Sequence, residues 1–203
     1  MANQQNSRAI RSRTLMLTQL GVLTAVVVIL QLLAIAMRPL FPLFTISLVL
    51  IPITVGAAII GVKAGGWLGL VFGAAVLLSG DAAPFLAFNV PGTIITVLLK
   101  GLAAGLAAGA VYRLLAPKGR TLAAAAAGVI CPIVNTGVFV LGSYVFFLPL
   151  LAEWGEGSGF ANSTAYIFFG LVGVNFLVEL GLNLVMIPVI VRLIQYGQDR
   201  RVT

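Results

Sequence analysis

The sequence predicts an all-α integral membrane protein with six transmembrane helices and both termini on the cytoplasmic side. Three observations carry that prediction. Of the 203 residues, 61% are hydrophobic and only 8% are charged, whereas soluble domains run at roughly 45–50% apolar and about 25% charged. The apolar residues fall into six long runs, and a hydrocarbon core about 30 Å thick asks for about 20 residues per helix. The 12 Lys and Arg residues gather almost wholly at alternate ends of those runs.

Residues 1–13 form a basic cytoplasmic tail with Arg8, Arg11 and Arg13, followed by an uncharged run over 15–37. This order also suits a signal peptide, with Ala34, Ile35 and Ala36 as a small-residue cleavage site. Secretory apolar regions are only about 7–15 residues long, so the longer run here reads as a retained first span. The other spans are 45–62, 64–80, 93–115, 121–151 and 164–194, joined by connections at 38–44, 63, 81–92, 116–120 and 152–163. Residues 14–196 therefore make one six-helix domain, and 197–203 a second cytoplasmic tail.

Orientation follows from the tendency of cytoplasmic loops to collect Lys and Arg. With the N-terminus inside, Arg8, Arg11, Arg13, Lys63, Arg113, Lys118, Arg120, Arg192, Arg200 and Arg201 all fall inside, only Arg38 falls outside, and Lys100 lies within a span. The net charge of +7 thus reports membrane topology. Bases dispersed over membrane-proximal segments do not form the single stripe that marks a nucleic-acid surface, so no nucleic-acid partner is expected.

The same composition excludes much chemistry. With no His and one Cys, the chain has no imidazole metal site, no His base, no disulfide and no paired-cysteine redox centre. It has no GxxxxGK[ST] loop with which to hydrolyse ATP. No enzyme activity and no cofactor are expected, and the energy for any transport must come from a gradient or a partner.

Small residues mark the helix contacts, because association in lipid depends on close backbone approach. The third span carries Gly65, Gly69 and Gly73, and the fourth Gly101, Gly105 and Gly109 with Ala104 and Ala108 beside them. The first span has one such pair, Gly21 and Ala25, which serves either internal packing or a helix of another protein.

Two ionisable groups lie at membrane depth, Lys100 and Glu179; a charge at a helix centre costs roughly 2.5–3.5 kcal/mol on insertion scales and by default marks a function. Asn175, Glu179 and Asn183 recur every fourth residue and share a helix face, and Asn135 lies beside Thr136 in the fifth span. Buried amides and carboxylates need partners. Three arrangements fit: an interhelical hydrogen-bond network, a Lys100–Glu179 ion pair, or a solute pocket built from spans four, five and six. The connection 81–92, with Asp81, Phe85, Asn89 and two prolines, reads as an ordered lid. Trp154, Phe160 and Tyr166 add aromatic surface around the last outer loop, where an interfacial belt would have the same composition.

Three stretches, 46–67 (ISLVLIPITVGAAIIGVKAGGW), 93–110 (TIITVLLKGLAAGLAAGA) and 131–143 (CPIVNTGVFVLGS), together with the span count and the first-helix pair, give the whole chain a likeness. It resembles a substrate-binding S component of an energy-coupling-factor (ECF) vitamin transporter, in the group that includes riboflavin, folate and pantothenate binders. The resemblance implies a multi-pass prokaryotic cell-membrane protein that binds its vitamin in an outward-facing cavity of helices four to six, capped by outer loops. It also implies association with a T subunit and two ATP-binding cassette ATPases, and toppling in the membrane to release the solute inside. Carried over to this chain, the substrate contacts are Lys100, Asn135, Asn175 and Glu179. The T-subunit docking face is Gly21 and Ala25, with Gly where the family usually has the first Ala of Ala-x-x-x-Ala. Lys100 gives a slight lean to an anionic vitamin such as pantothenate or folate, which Glu179 opposes.

Two other classes fit the spans. A self-sufficient secondary transporter would use Glu179 to carry a proton or pair with a cation, and a membrane scaffold protein would dock partners without a small-molecule ligand.

Overall fold

The computed structural model describes residues 2–37 and 48–202. Its described elements are helical: α1 (Ala2–Ala36), α2 (Leu50–Ile59), α3 (Val62–Leu78), α4 (Ala83–Phe88), α5 (Val90–Leu115), α6 (Arg120–Phe146), α7 (Leu148–Gly157), α8 (Ser163–Ala165) and α9 (Gly173–Val202). A 3-10 turn, Ala116–Lys118, links α5 to α6, and a π-helical segment, Tyr166–Val172, joins α8 to α9. Among the described residues four stretches are long and apolar enough to cross a membrane: Arg13–Ala36, Val90–Lys118, Arg120–Phe146 and Ser163–Tyr196.

The structure refines several expected boundaries. The basic segment before Arg13 continues α1 instead of forming a separate tail, and α9 likewise runs through the expected C-terminal tail. The expected second span, 45–62, is represented by the ten-residue α2, about 15 Å long at 1.5 Å per residue; its earlier part falls outside the described residues. Every residue from Leu50 to Ala58 is buried, and α2 touches α1, α3, α5, α6 and α9. A helix apolar all round is a core helix or a lipid-facing one, and hydropathy does not separate the two. The expected fifth span ends at Phe146, not 151, because Pro149 opens the new helix α7.

The α3–α5 pair is the most extensive contact in the bundle, and its glycines explain why. A methyl group built on Gly69 would fall onto the Gly101 carbonyl oxygen, and one on Gly101 onto the Gly69 carbonyl. Gly65 and Gly105 oppose each other in the same way, Gly73 faces the Val97 carbonyl and Gly109 faces Val62. The two small-residue stripes therefore form one antiparallel seam in which backbone meets backbone. Gly61, at φ +131°, makes the tight turn that brings α3 back against α2, a conformation that L side chains rarely adopt.

The antiparallel seam separates the charges. Lys63 at the start of α3, Arg113 in the last turn of α5, and Lys118 and Arg120 around the 3-10 turn lie towards one end. Asp81 follows α3 and Glu153 and Glu156 lie on α7, towards the other end.

Candidate functional site

The acidic end holds a cavity of about 210 Å³. It is lined from six directions: Gln31 of α1, Phe72 and Val76 of α3, Asp81 and Phe85 at α4, Lys100 of α5, Asn135 and Phe139 of α6, and Asn175 and Glu179 of α9. The four expected substrate contacts, Lys100, Asn135, Asn175 and Glu179, therefore meet at one site, with Asp81 and Phe85 of the expected lid. The wall is wider than spans four to six, since α1 and α3 contribute as well.

Each polar group reaches the cavity for a local reason. Lys100 is about 10 residues into α5 and seven beyond Thr93, so its side chain enters below the lid. Its ammonium nitrogen lies 5.5 Å from the Phe72 ring centre and 5.3 Å from that of Phe139. Ring faces attract cations, by roughly 0.5–1 kcal/mol when exposed and about 2 when desolvated, so the two rings hold Lys100 in place. Among the described residues it forms no ion pair within 4.0 Å, which removes the direct Lys100–Glu179 bridge as the explanation of either group.

Asn135 is 5% exposed, and its Oδ1 has no hydrogen-bond partner among the described residues. An unpaired buried polar atom costs about 1–3 kcal/mol; Thr96 Oγ1, Ser143 Oγ and Asn183 Oδ1 are also buried without a partner among the described residues, but only Asn135 lines the cavity. Asn183 shares the helix face of Glu179 but lies below the cavity, donating from Nδ2 to the Glu179 carbonyl oxygen at 2.9 Å. Its own Oδ1 is buried with no partner among the described residues.

At the acidic end α4 lies beside the cavity and is held there by aromatic packing. Phe85 on α4 sits edge-on to Phe139 at 5.8 Å, Phe147 at 5.0 Å and Trp154 at 5.6 Å. The same aromatic cluster contains buried Leu151 and Ile167, and Phe160 meets Tyr166 at 5.4 Å. Aromatic pairs of this geometry are worth about 0.5–1.5 kcal/mol each beyond their burial. Trp154, Phe160 and Tyr166 thus take part in the roof's aromatic packing. Asn89, expected in the lid, does not line the cavity: its Oδ1 accepts from the Gly92 backbone N–H at 2.9 Å, capping α5 just before Pro91, a contact worth about 1 kcal/mol.

Sequence reasoning missed Gln31, Phe72, Phe139 and Phe176 of this wall. Gln31 is 2% exposed and donates from Nε2 to Asp81 Oδ2 at 3.2 Å, tying α1 to the start of the lid. An amide within an otherwise apolar first span was the available signal. The π-helical segment Tyr166–Val172 brings Leu171 and Val172 to the wall; π turns are rare and concentrate at functional sites.

Gly21 and Ala25 face away from this site. Both are exposed, and no atom lies within 4 Å of a methyl built on Gly21. They belong to a stripe with Leu17, Ile29 and Leu33 that is exposed along α1. The opposite side of α1 is anchored by Val27, Gln31 and Ala34, all buried, and by the Trp67 indole N–H donating to Thr24 Oγ1 at 3.2 Å. Internal packing does not use the pair.

No curated protein and no solved structure matches the chain. A family model described as the ECF transporter, substrate-specific component, matches residues 15–191, which takes in most of α1, the glycine seam, α4 and every polar residue of the cavity. The chain therefore belongs to the family of ECF transporter substrate-specific components, multi-pass membrane proteins that bind a transporter's substrate.

Proposed function

We propose that this chain is the solute-binding subunit of an ATP-driven ECF importer in a prokaryotic cell membrane. It captures a small water-soluble vitamin or related micronutrient from outside, docks on a T subunit energised by two ATP-binding cassette ATPases, and delivers the solute inward. The observation that carries this reading is the cavity itself: polar groups from α5, α6 and α9 converge on one space, and the Asn135 oxygen in it has no partner among the described residues. Six membrane helices with both termini cytoplasmic fit the ten-to-one distribution of bases in the sequence and their place opposite the lid. The exposed Gly21 and Ala25 supply the docking face, where a partner helix can approach closely.

Two substitutions separate these roles. Asn135→Leu removes an unpartnered polar atom, so the unliganded protein should unfold at the same temperature or higher, while solute affinity falls by about 1 kcal/mol, roughly fivefold. A packing network built on Asn135 predicts the reverse, a lower unfolding temperature with no ligand to lose. Gly21→Leu, placed in open space, should leave solute binding unchanged and abolish copurification with the T subunit; intact copurification would remove Gly21 from the docking face. Uptake into liposomes driven by a pH gradient with no ATPase present would instead favour the secondary transporter.

A further inference from the structure

The cavity says more about its solute than that it is small and polar. Lys100 and Glu179 are of opposite sign, line the same space and do not pair within 4.0 Å. The ammonium of Lys100 is flanked by two ring faces, which attract its charge but leave its three N–H donors without an oxygen among the described residues. The same wall carries two acceptors, the Glu179 carboxylate and the Asn135 Oδ1, and the latter has no donor among the described residues. The Asp81 carboxylate lines the space as well and accepts a hydrogen bond from Gln31, so the acidic side of the lining outnumbers its one ammonium. Phe72, Phe85, Phe139 and Phe176 supply apolar lining to the same space.

Resting on the solute-binding reading above, we infer that the solute is a compact ampholyte. Its acidic end meets Lys100, its amino or amidine-type end meets Glu179 and Asn135, and an apolar body rests against the phenylalanine lining of the space. A purely anionic solute would leave Glu179 facing it unpaired, and a purely cationic one would leave Lys100 so; an uncompensated buried charge costs more than the pair returns. At about 210 Å³, the space falls below the roughly 300–1,000 Å³ of pockets for drug-sized ligands, which selects against large solutes of the folate type. This shifts the expectation from an anionic vitamin to a molecule carrying both signs.

The test is calorimetric titration of the purified full-length protein with probes of similar size and different charge. Pantothenate serves as the anion, thiamine as the cation, nicotinamide as the neutral probe, and pyridoxamine and tryptophan as ampholytes. The expected result is that an ampholyte binds at least tenfold more tightly than the other classes, and that Lys100→Met and Glu179→Gln each weaken it at least tenfold. An anionic, cationic or neutral probe binding most tightly overturns the inference while leaving solute binding intact, and this ranking on the unaltered protein needs no variant to fold. Unchanged affinity in Glu179→Gln overturns it as well. A small molecule carried through purification is judged by the same criterion, acidic and basic groups both present or not. If no probe binds and nothing is carried, the solute-binding reading fails, and this inference with it.

Discussion

Replacing Gly101 by leucine should all but eliminate folded protein. A side chain there meets the Gly69 carbonyl oxygen of the opposing helix, which is backbone and has no rotamer to move into. The helices must separate along the whole seam, because Gly65 against Gly105 and Gly73 against the Val97 carbonyl are set by the same close approach. Overpacking a core typically costs about 1–3 kcal/mol and occasionally more; a backbone obstacle puts this site at or above the upper figure, a large part of a stability of about 5–15 kcal/mol. The measurement is the monodisperse fraction on size-exclusion chromatography in detergent, with Gly137→Leu as control. Gly137 is exposed on α6 with open space where its side chain would go, so that variant should behave as the unaltered protein. Equal yields from the two variants would mean that α3 and α5 do not meet at this seam.

The second large effect belongs to Lys100→Met, which keeps the length and the contact with Phe72 and Phe139 but removes the charge. Hydrogen bonds to charged groups are worth about 1.5–3 kcal/mol, so solute affinity should fall roughly tenfold to 150-fold. The unliganded variant should be at least as stable, since an ammonium with no ion pair within 4.0 Å among the described residues is exchanged for an apolar group. Affinity within twofold of the unaltered protein would show that Lys100 faces the cavity without touching the solute.

Much of this architecture was legible before the fold was known, and for physical reasons. Glycines at four-residue spacing on two neighbouring apolar runs can hardly do anything in lipid except bring backbones together, and they do. Charged and amide side chains within apolar runs are costly enough to be conspicuous, and Lys100, Asn135, Asn175 and Glu179 line one cavity. Phe72 and Phe139 were not legible, because a phenylalanine in a membrane span suits lipid as well as a cage around an ammonium. The same ambiguity hid the full burial of α2. Gln31 was overlooked because it carries no charge, although an amide at that depth also needs a partner, and Asp81 supplies one. Asn89 was misread in the other direction: followed by Val90 and Pro91, it carries the signature of a helix cap, and the cap is what it makes.

The claim beneath all of these is that the cavity holds a solute, and mass spectrometry of what the protein carries tests it most directly. Protein purified from cell membranes in mild detergent should release one small molecule at near one-to-one occupancy, and adding that molecule back should raise the unfolding temperature of stripped protein, as binding to the native state requires. A protein that comes away empty, and that no water-soluble vitamin or micronutrient stabilises, would contradict the account.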